Sequence, residues 1–298
     1  MKSIRSSFYN IARHILISVS PAAFDKLFYL MKLKRVCNLK TPSRLSEKIM
    51  WLKRNWYDDK AVILADKYRV RKYLQEKGYN HMLIPLLAVY SSPDEFKQKE
   101  LPRQFVLKAS HGSGMNLICR SSSDINEKAV KKVIGKWLRT NYYYQCAEEH
   151  YAHMPPSVVC EKLMTQPGHA SLTEYKIMCY NGVPKQIMVY YDRDEGSACS
   201  CVYDTHWNLI PVHSGIYERG DREVPKPLRL DEMLMFASEM SCGFPHLRVD
   251  LYEVSGHIYF GEFTFFHNAG VCCFKPDSYD KTFGEQLALP LKTVKEHE

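Results

Sequence analysis

The sequence predicts a mixed α/β (α+β) fold in which helices alternate with antiparallel hairpins, and three observations predict it. Apolar and polar residues alternate on both sides of Asn181-Gly182 and of Ser255-Gly256, the period-2 pattern of paired strands with one packed face. Val130, Val133, Ile134, Trp137 and Leu138 recur at three- and four-residue steps, the signature of a helix with one buried side. No stretch has the composition of a linker, so the 298 residues read as one unit with subdomains.

Residues 1–40 form a basic leader. Ile4, Phe8, Ile11, Ile15 and Val19 share a helical stripe, as do Phe24, Leu27, Phe28 and Met31, and Pro21 divides the two. Its longest apolar run, Ile15-Leu16-Ile17, is far too short to cross a bilayer or to form a signal-peptide core. Helices are expected over Leu45–Lys53 and over Lys60–Leu74, then a short strand over Ile84–Val89. Ser123-Asp124 should cap the helix that carries Trp137. Tyr142-Tyr143-Tyr144 follows it and either packs the helix end or stacks on a sugar ring. Hairpins come next: Glu174–Tyr180 with Lys185–Tyr191, and Cys199–Tyr203 with Leu209–Val212. Residues 213–229 form a loop long enough to act as a lid, and Asp231 starts a helix that stops near Gly243.

Charge divides unevenly. Of the 41 basic and 33 acidic residues, eight and one fall within residues 1–40, which leaves 33 against 32 for the body. A basic amphipathic leader of this kind either lies on an anionic membrane through residues 1–35 or docks on the body by its apolar stripes. A nucleic-acid partner is disfavoured, because the charge sits in the leader and no reader motif accompanies it. The ten cysteines have no secretory signal beside them and lack C-x₂-C spacing, so they read as reduced, mostly buried thiols and not as a disulfide or zinc framework. His150 and His153 form an H-x-x-H pair with no further ligand at a characteristic distance.

The richest segment runs from Arg248 to Thr264, a hairpin with an acid on each strand. A two-residue loop would put Glu262 on the face opposite Asp250; a three-residue loop would set Asp250 across from Glu262 and Arg248 across from Thr264, with Val249, Leu251, Phe263 and Phe265 on the other face. The second register, with a loop longer than two residues, is expected. Adjacent carboxylates need a cation or a proton between them, and Mg²⁺ asks for only one or two carboxylates, completing its shell with water and phosphates. An exposed cross-strand ion pair is the plainer alternative.

Phe105 to Cys119 supplies a second signal. A short apolar strand ends in Lys108, a loop with Gly112 and Gly114 follows, and a second strand returns. Glycines let backbone N–H groups approach phosphate oxygens, and the lysine adds a point charge. The lysine precedes the glycines, so this is not a Walker A loop.

The order of these pieces resembles the ATP-grasp superfamily and, over about residues 40 to 290, the TupA-like ATP-grasp proteins of cell-surface polysaccharide and polyanion synthesis. The phrases that carry the resemblance are Ser43 to Lys53, Ala65-Asp66-Lys67-Tyr68, Leu107 to Asn116, Thr140 to Tyr144, Glu174-Tyr175-Lys176, Asn181-Gly182 and the terminal hairpin. The resemblance implies an ATP-grasp fold behind a helical leader, with the nucleotide held between two antiparallel-sheet subdomains. The corresponding divisions are the leader 1–40, an N-terminal subdomain 41–100, a glycine-loop subdomain 101–164 and a metal-binding subdomain 165–298.

It also implies roles. Lys67 and Lys108 would hold ATP phosphates beneath the loop His111-Gly112-Ser113-Gly114 and Asn116. Glu161, Lys162 and Leu163 would read the adenine, and Glu174 would lie near the ribose. Asp250 and Glu262 would bind Mg²⁺, with Thr264 standing where the superfamily usually has asparagine. Arg248 would steady the transferred phosphoryl group, and Lys176, Lys185 and Arg193 are candidate γ-phosphate or substrate contacts. The activity implied is an ATP- and Mg²⁺-dependent carboxylate–amine ligase of the cytoplasm, peripheral at the membrane if the leader binds there. Its partners would be an acidic glycan or uronic acid and an amino acid or amine. The rival readings are a phosphotransferase acting on a sugar hydroxyl and a non-catalytic nucleotide-binding scaffold.

Overall fold

The computed structural model describes residues 2–121, 123, 125–166, 171–192, 198–214, 218–219 and 223–290, with the side chains of 2–8, 218 and 219 left aside. Two antiparallel sheets organise it. The smaller has the order β1-β4-β2-β3, built from β1 (Leu86–Tyr90), β2 (Phe105–Ala109), β3 (Asn116–Cys119) and β4 (Val158–Lys162). The larger runs β11-β10-β5-β6-β7-β8, from β5 (Glu174–Tyr180), β6 (Val183–Tyr191), β7 (Cys199–Asp204), β8 (Leu209–Ile210), β10 (His246–Val254) and β11 (His257–Thr264). A two-residue strand, β9 (Glu218–Arg219), joins β7 in parallel, inside the segment read as a lid loop; residues 215–217 and 220–222 of that segment lie outside the described residues.

Each sheet buries one face. The small one packs Phe105, Leu107, Val158 and Cys160 against Val130, Ile134 and Trp137 of helix α6 (Glu127–Leu138). The cap of that helix is Asn126, whose side chain accepts from Ala129 N–H at 3.2 Å. The expected cap at Ser123-Asp124 is therefore too early, and Asp124 lies outside the described residues. On the large sheet, Ile177, Ile187, Val249, Leu251 and Phe263 share a core with Met233, Phe236 and Ala237 of α8 (Leu230–Ser241).

The two hairpins that matter most use one device. Asn181 (φ 51°) with Gly182 (φ 81°), and Ser255 (φ 52°) with Gly256 (φ 75°), form tight two-residue turns with both central residues left-handed, the geometry that matches strand twist. Each ladder then takes in one extra residue. Pairing runs Cys179 with Pro184 but Met178 with Gln186, so Lys185 is extra; it runs Leu251 with Phe260 but Asp250 with Glu262, so Gly261 is extra. A three-residue loop was expected at Ser255, and that is corrected: the loop has two residues, and a bulge at Gly261 restores the pairing of Asp250 with Glu262. A Cβ at Gly261 would lie 3.0 Å from the Asp250 carbonyl oxygen, which is why the bulge sits at a glycine.

The helix expected over Lys60–Leu74 is broken. It forms α4 (Lys60–Leu64) and α5 (Arg69–Glu76), separated by a turn at Asp66-Lys67. The buried Asp66 carboxylate accepts from Tyr68 N–H at 2.8 Å and Arg69 N–H at 3.0 Å, capping α5 as an aspartate caps any helix start. Helix α3 (Leu45–Asn55) precedes them, its first turn closed by Glu47, which accepts from Ser43 N–H and Arg44 N–H.

The leader folds into α1 (Lys2–Val19) and α2 (Pro21–Leu33), with Ser20 capping the second. Ile17 and Phe24 are buried beside Ala147, with Tyr143 and Tyr144 of α7 (Tyr143–Cys146) packed on them. His14 stacks on Tyr144 at 3.6 Å, so Tyr143 and Tyr144 pack the leader, while Tyr142 packs on Tyr151 at 4.9 Å. Asp25 is fully enclosed and pairs with Lys53 at 2.6 Å and Arg54 at 2.8 Å. No helix among the described residues is long and apolar enough to cross a membrane.

Candidate active site

The period-2 rule puts Arg248, Asp250 and Tyr252 on one face of β10, and the ladders align neighbours with them. Asp250 stands between Lys176 on β5 and Glu262 on β11, and Tyr252 is opposite Glu174. One row of three strands thus reads Lys176, Asp250, Glu262. Alternate residues of these strands, Ile177, Val249, Leu251 and Phe263, fill the core, so the charged row cannot turn away without exposing them.

Inside that row every charge has a partner. Arg248 grips Asp250 with Nε at 2.6 Å and Nη2 at 2.8 Å, and the same Nη2 donates to Glu262 at 3.1 Å. Lys176 Nζ donates to Asp250 at 2.5 Å and lies 3.0 Å from Glu174, which also accepts from the Tyr252 hydroxyl at 3.1 Å. Burial works upward on Glu262, but Lys67, Arg248 and Lys176 outweigh it and hold its carboxyl at about 2. Asp250 is more deeply enclosed, and burial pushes it above the ordinary carboxylate value against the pull of Arg248 and Lys176.

The facing wall is the small sheet. Lys108, at the end of β2, donates to Glu161 at 2.8 Å, and Arg71 of α5 holds the other Glu161 oxygen at 3.1 Å. The loop after β2 returns through Gly112, Ser113 and Gly114, the last at φ 72°. A Cβ on Gly112 would come within 2.8 Å of the Tyr142 ring and 2.6 Å of Met115, so the loop lies flat against them. Lys67 joins the two walls: its Nζ donates to the Gly112 carbonyl at 2.8 Å and lies 3.2 Å from Glu262. The α4–α5 break that the sequence does not reveal puts Lys67 in this place.

Two adjoining cavities share Lys108, Asn116, Glu174 and Tyr252. One, about 410 Å³, is the charged end, lined by Lys67, the loop Gly112 to Asn116, Lys176, Arg248, Glu262 and His267 among others. The other, about 330 Å³, is the more apolar end, where Val106, Ile118, Lys162, Leu163 and Met164 form the walls. A polar, cation-rich end beside an apolar slot suits a nucleotide, phosphates toward Lys67 and base toward Leu163.

Most of the residues singled out from the sequence meet here, and four do not. The His111 ring is buried under α6, bound to the Trp137 carbonyl at 3.0 Å, with burial lowering its basicity; it lines neither cavity. Glu161 lies beneath the cavities and orients Lys108 instead of facing the base slot. Thr264 is opposite Arg248 but lines neither cavity, and Lys185 is spent on the β6 bulge. Arg193 lies outside the described residues. Four site residues were missed. Tyr190 and Tyr252 follow from register, being opposite Glu174 on its two flanks. His267 and Asn268 have no such signal, since they come from the turn after β11.

The donor set fits Mg²⁺. Asp250 and Glu262 are side by side, and Glu262 opens into the charged cavity, as one or two carboxylates completing a phosphate-bound magnesium shell would require. Asp250, with both oxygens accepting from cations, would ligate only by exchanging one of them. Among the described residues no group of three or more His, Cys, Asp or Glu side chains forms a metal cage of its own.

A family model described as TupA-like ATPgrasp matches residues 47–288. No curated protein matches the chain. Among solved structures, D-alanine–D-alanine ligase from Bacillus anthracis complexed with ATP is 14% identical over 68% of this chain, with a TM-score of 0.40; the match covers 55% of the ligase. The ATP-grasp ligase PsnB complexed with minimal precursor is 10% identical, covering 82% of this chain and 68% of that one at a TM-score of 0.42. A RimK domain ATP-grasp protein from Sphaerobacter thermophilus is 10% identical, with 76% and 67% covered and a TM-score of 0.39.

Proposed function

The chain belongs to the TupA-like ATP-grasp family, and from that premise we propose that it is a cytoplasmic, ATP- and Mg²⁺-dependent ligase joining a carboxylate to an amine. One observation carries the reading: Lys67, Lys108 and the glycine loop face Lys176, Arg248 and Glu262 across a single cleft with an apolar slot at one end. In this reading ATP lies with its base beside Lys162 and Leu163, its ribose near Glu174 and its phosphates under Gly112 to Gly114. The proposed division keeps the loop in residues 101–164 and the carboxylates in 165–298.

The chemistry asks little of the protein beyond positioning and charge. A carboxylate oxygen of the first substrate attacks the γ-phosphorus, ADP leaves, and an acyl phosphate forms. The amine then attacks the acyl carbon, losing a proton, and inorganic phosphate departs with one oxygen of the original carboxylate. Arg248 is charged throughout and aims its guanidinium into the cavity, so it can stabilise the phosphoryl oxygens; Lys176, and Arg193 as a further candidate, would share that load. Mg²⁺, held by Glu262 and Asp250, would neutralise phosphate charge when bound.

The substrates proposed are a uronic acid or acidic glycan of a surface polysaccharide and an amino acid or amine, an assignment that rests on the family alone. Purified protein should be incubated with ATP, Mg²⁺ and a panel of uronic acids and amino acids, with ADP followed and products weighed. ADP release that needs both a carboxylate and an amine, with a product lighter by one water than the two together, supports the ligase. Phosphate retained on a single acceptor would replace it with a phosphotransferase.

A further inference from the structure

The leader docks on the body by the wrong face for its sequence. In α1 the stripe Ile11, Ile15, Val19 is the apolar one, yet these residues are 55, 57 and 79% exposed, while the fully buried contact is Ile17. At 3.6 residues per turn Ile17 points about 200° away from Ile15, so the stripe lies on the far side of the helix from the body. In α2, Phe24 and Phe28 turn inward and Leu27, Leu30 and Met31 remain 46, 44 and 48% exposed.

The attachment behind that face is fixed. Asp25 enters the body as a fully buried carboxylate held by Lys53 and Arg54, and Lys53 in turn donates to the carbonyls of Cys146 and Ala269. Removing Asp25 from those cations would leave buried charge uncompensated, so the helix is anchored with its stripe outward. The same two helices and the segment after them, residues 1–40, carry eight basic residues against Asp25 alone.

We propose that this outward face is a docking surface for an anionic lipid bilayer, with Ile11, Ile15, Val19, Leu27, Leu30 and Met31 entering the headgroup boundary and Lys26, Lys32 and Lys34 meeting lipid phosphates. A second copy of the chain could cover the apolar residues, but it would bring its own +7 against this one; lipid phosphate is the complementary partner. The inference goes beyond the proposed reaction and does not depend on it.

The test is sedimentation of the full chain with vesicles of phosphatidylcholine containing about one-third phosphatidylglycerol, compared with pure phosphatidylcholine. Surface charge is screened over about 10 Å at 0.1 M salt, so binding to the anionic vesicles should fall at least tenfold between 0.05 and 0.5 M salt. The doubly substituted Ile11→Asp, Ile15→Asp chain should lose it at every salt while keeping its melting temperature. Equal binding to both vesicle types, or unchanged binding by that variant, would overturn the proposal. Concentration-dependent dimerisation of the lipid-free chain that the variant abolishes would assign the face to a second copy instead. If the variant fails to fold, Leu27→Gln with Met31→Gln on α2 gives the same readout.

Discussion

The two walls of the cleft solve opposite problems. On the large sheet, Arg248, Lys176, Asp250, Glu262 and Glu174 are aligned by strand register and cross-braced by contacts of 2.5 to 3.1 Å, and their positions follow from backbone that is itself buried. Facing them are a glycine loop with Ser113 and Gly114 exposed, Lys108 near the end of β2, and Lys67 from the α4–α5 turn. One wall thus fixes charge by strand register, and the other presents exposed loop backbone. Lys67 is the hinge pin between them, since one ammonium touches Gly112 and Glu262 together.

The sharpest way to break this comparison is Arg248→Met. It removes the guanidinium that grips Asp250, leaving that enclosed carboxylate to Lys176 among the described residues, and should cost roughly 3–5 kcal/mol of stability in urea titration while abolishing turnover. A small stability change would show that the braced wall is not braced. Glu262→Gln separates the two properties: the Glu262 side chain is itself 27% exposed, so stability should move by only about 1 kcal/mol while Mg²⁺-dependent nucleotide binding is lost.

Across the cleft, Lys108→Ala should weaken ATP by about 1.5–3 kcal/mol, roughly 10- to 150-fold by calorimetry, and leave adenosine nearly unaffected, since it removes a charge-assisted contact to phosphate alone. Equal losses for both ligands would reassign Lys108 as the structural partner of Glu161. Gly112→Ala should lift the loop off Tyr142 and Met115, raising the ATP dissociation constant with little change in melting temperature. A matching fall in stability would mean that the loop is part of the core.

A further expected effect is with pH. Burial holds His150 at about 3 and His246 at about 4, each below the ordinary 6.5, so the unfolded chain binds more protons than the folded one between those values. The contribution of the two histidines should therefore be complete above pH 6.5 and decline as pH falls toward 4, outweighing Glu148, which burial raises to about 7 and which works the other way between 4.5 and 7. Glu262, held at about 2, stays ionised across that window, so the carboxylate row keeps its charge while the fold around it weakens. Melting temperatures that are flat from pH 7 to 4.5 would contradict this.

Much of this was legible because hairpins and helices write their faces into the sequence. Alternation put Arg248, Asp250 and Glu262 on one face, whereas Glu174 and Lys176 came by resemblance, and the pairing of Asp250 with Glu262 was right although its stated cause was not: a bulge, not a longer loop, sets it. Gly261 inside an otherwise regular strand was the available signal. Lys67 was found by resemblance, but the break that aims it was not, because Asp66 within an apolar-periodic stretch gives no periodicity signal when it acts as a cap. His111 and Glu161 illustrate the converse error. Local sequence tells which residues neighbour a loop, whereas which of them face the cavity depends on α6 and Arg71, far along the chain. In the leader, periodicity located the apolar stripe of α1 correctly, and tertiary packing used another face.

In the proposed reaction the carboxylate is activated by phosphorylation within this cleft. That step is tested by supplying the carboxylate substrate with both oxygens as ¹⁸O, together with ATP, Mg²⁺ and the amine, and weighing the inorganic phosphate released. One ¹⁸O in each phosphate and one retained in the amide are expected. Phosphate free of ¹⁸O in a reaction that still makes the amide, or a phosphoryl group retained on a hydroxyl of the acceptor, would contradict that step.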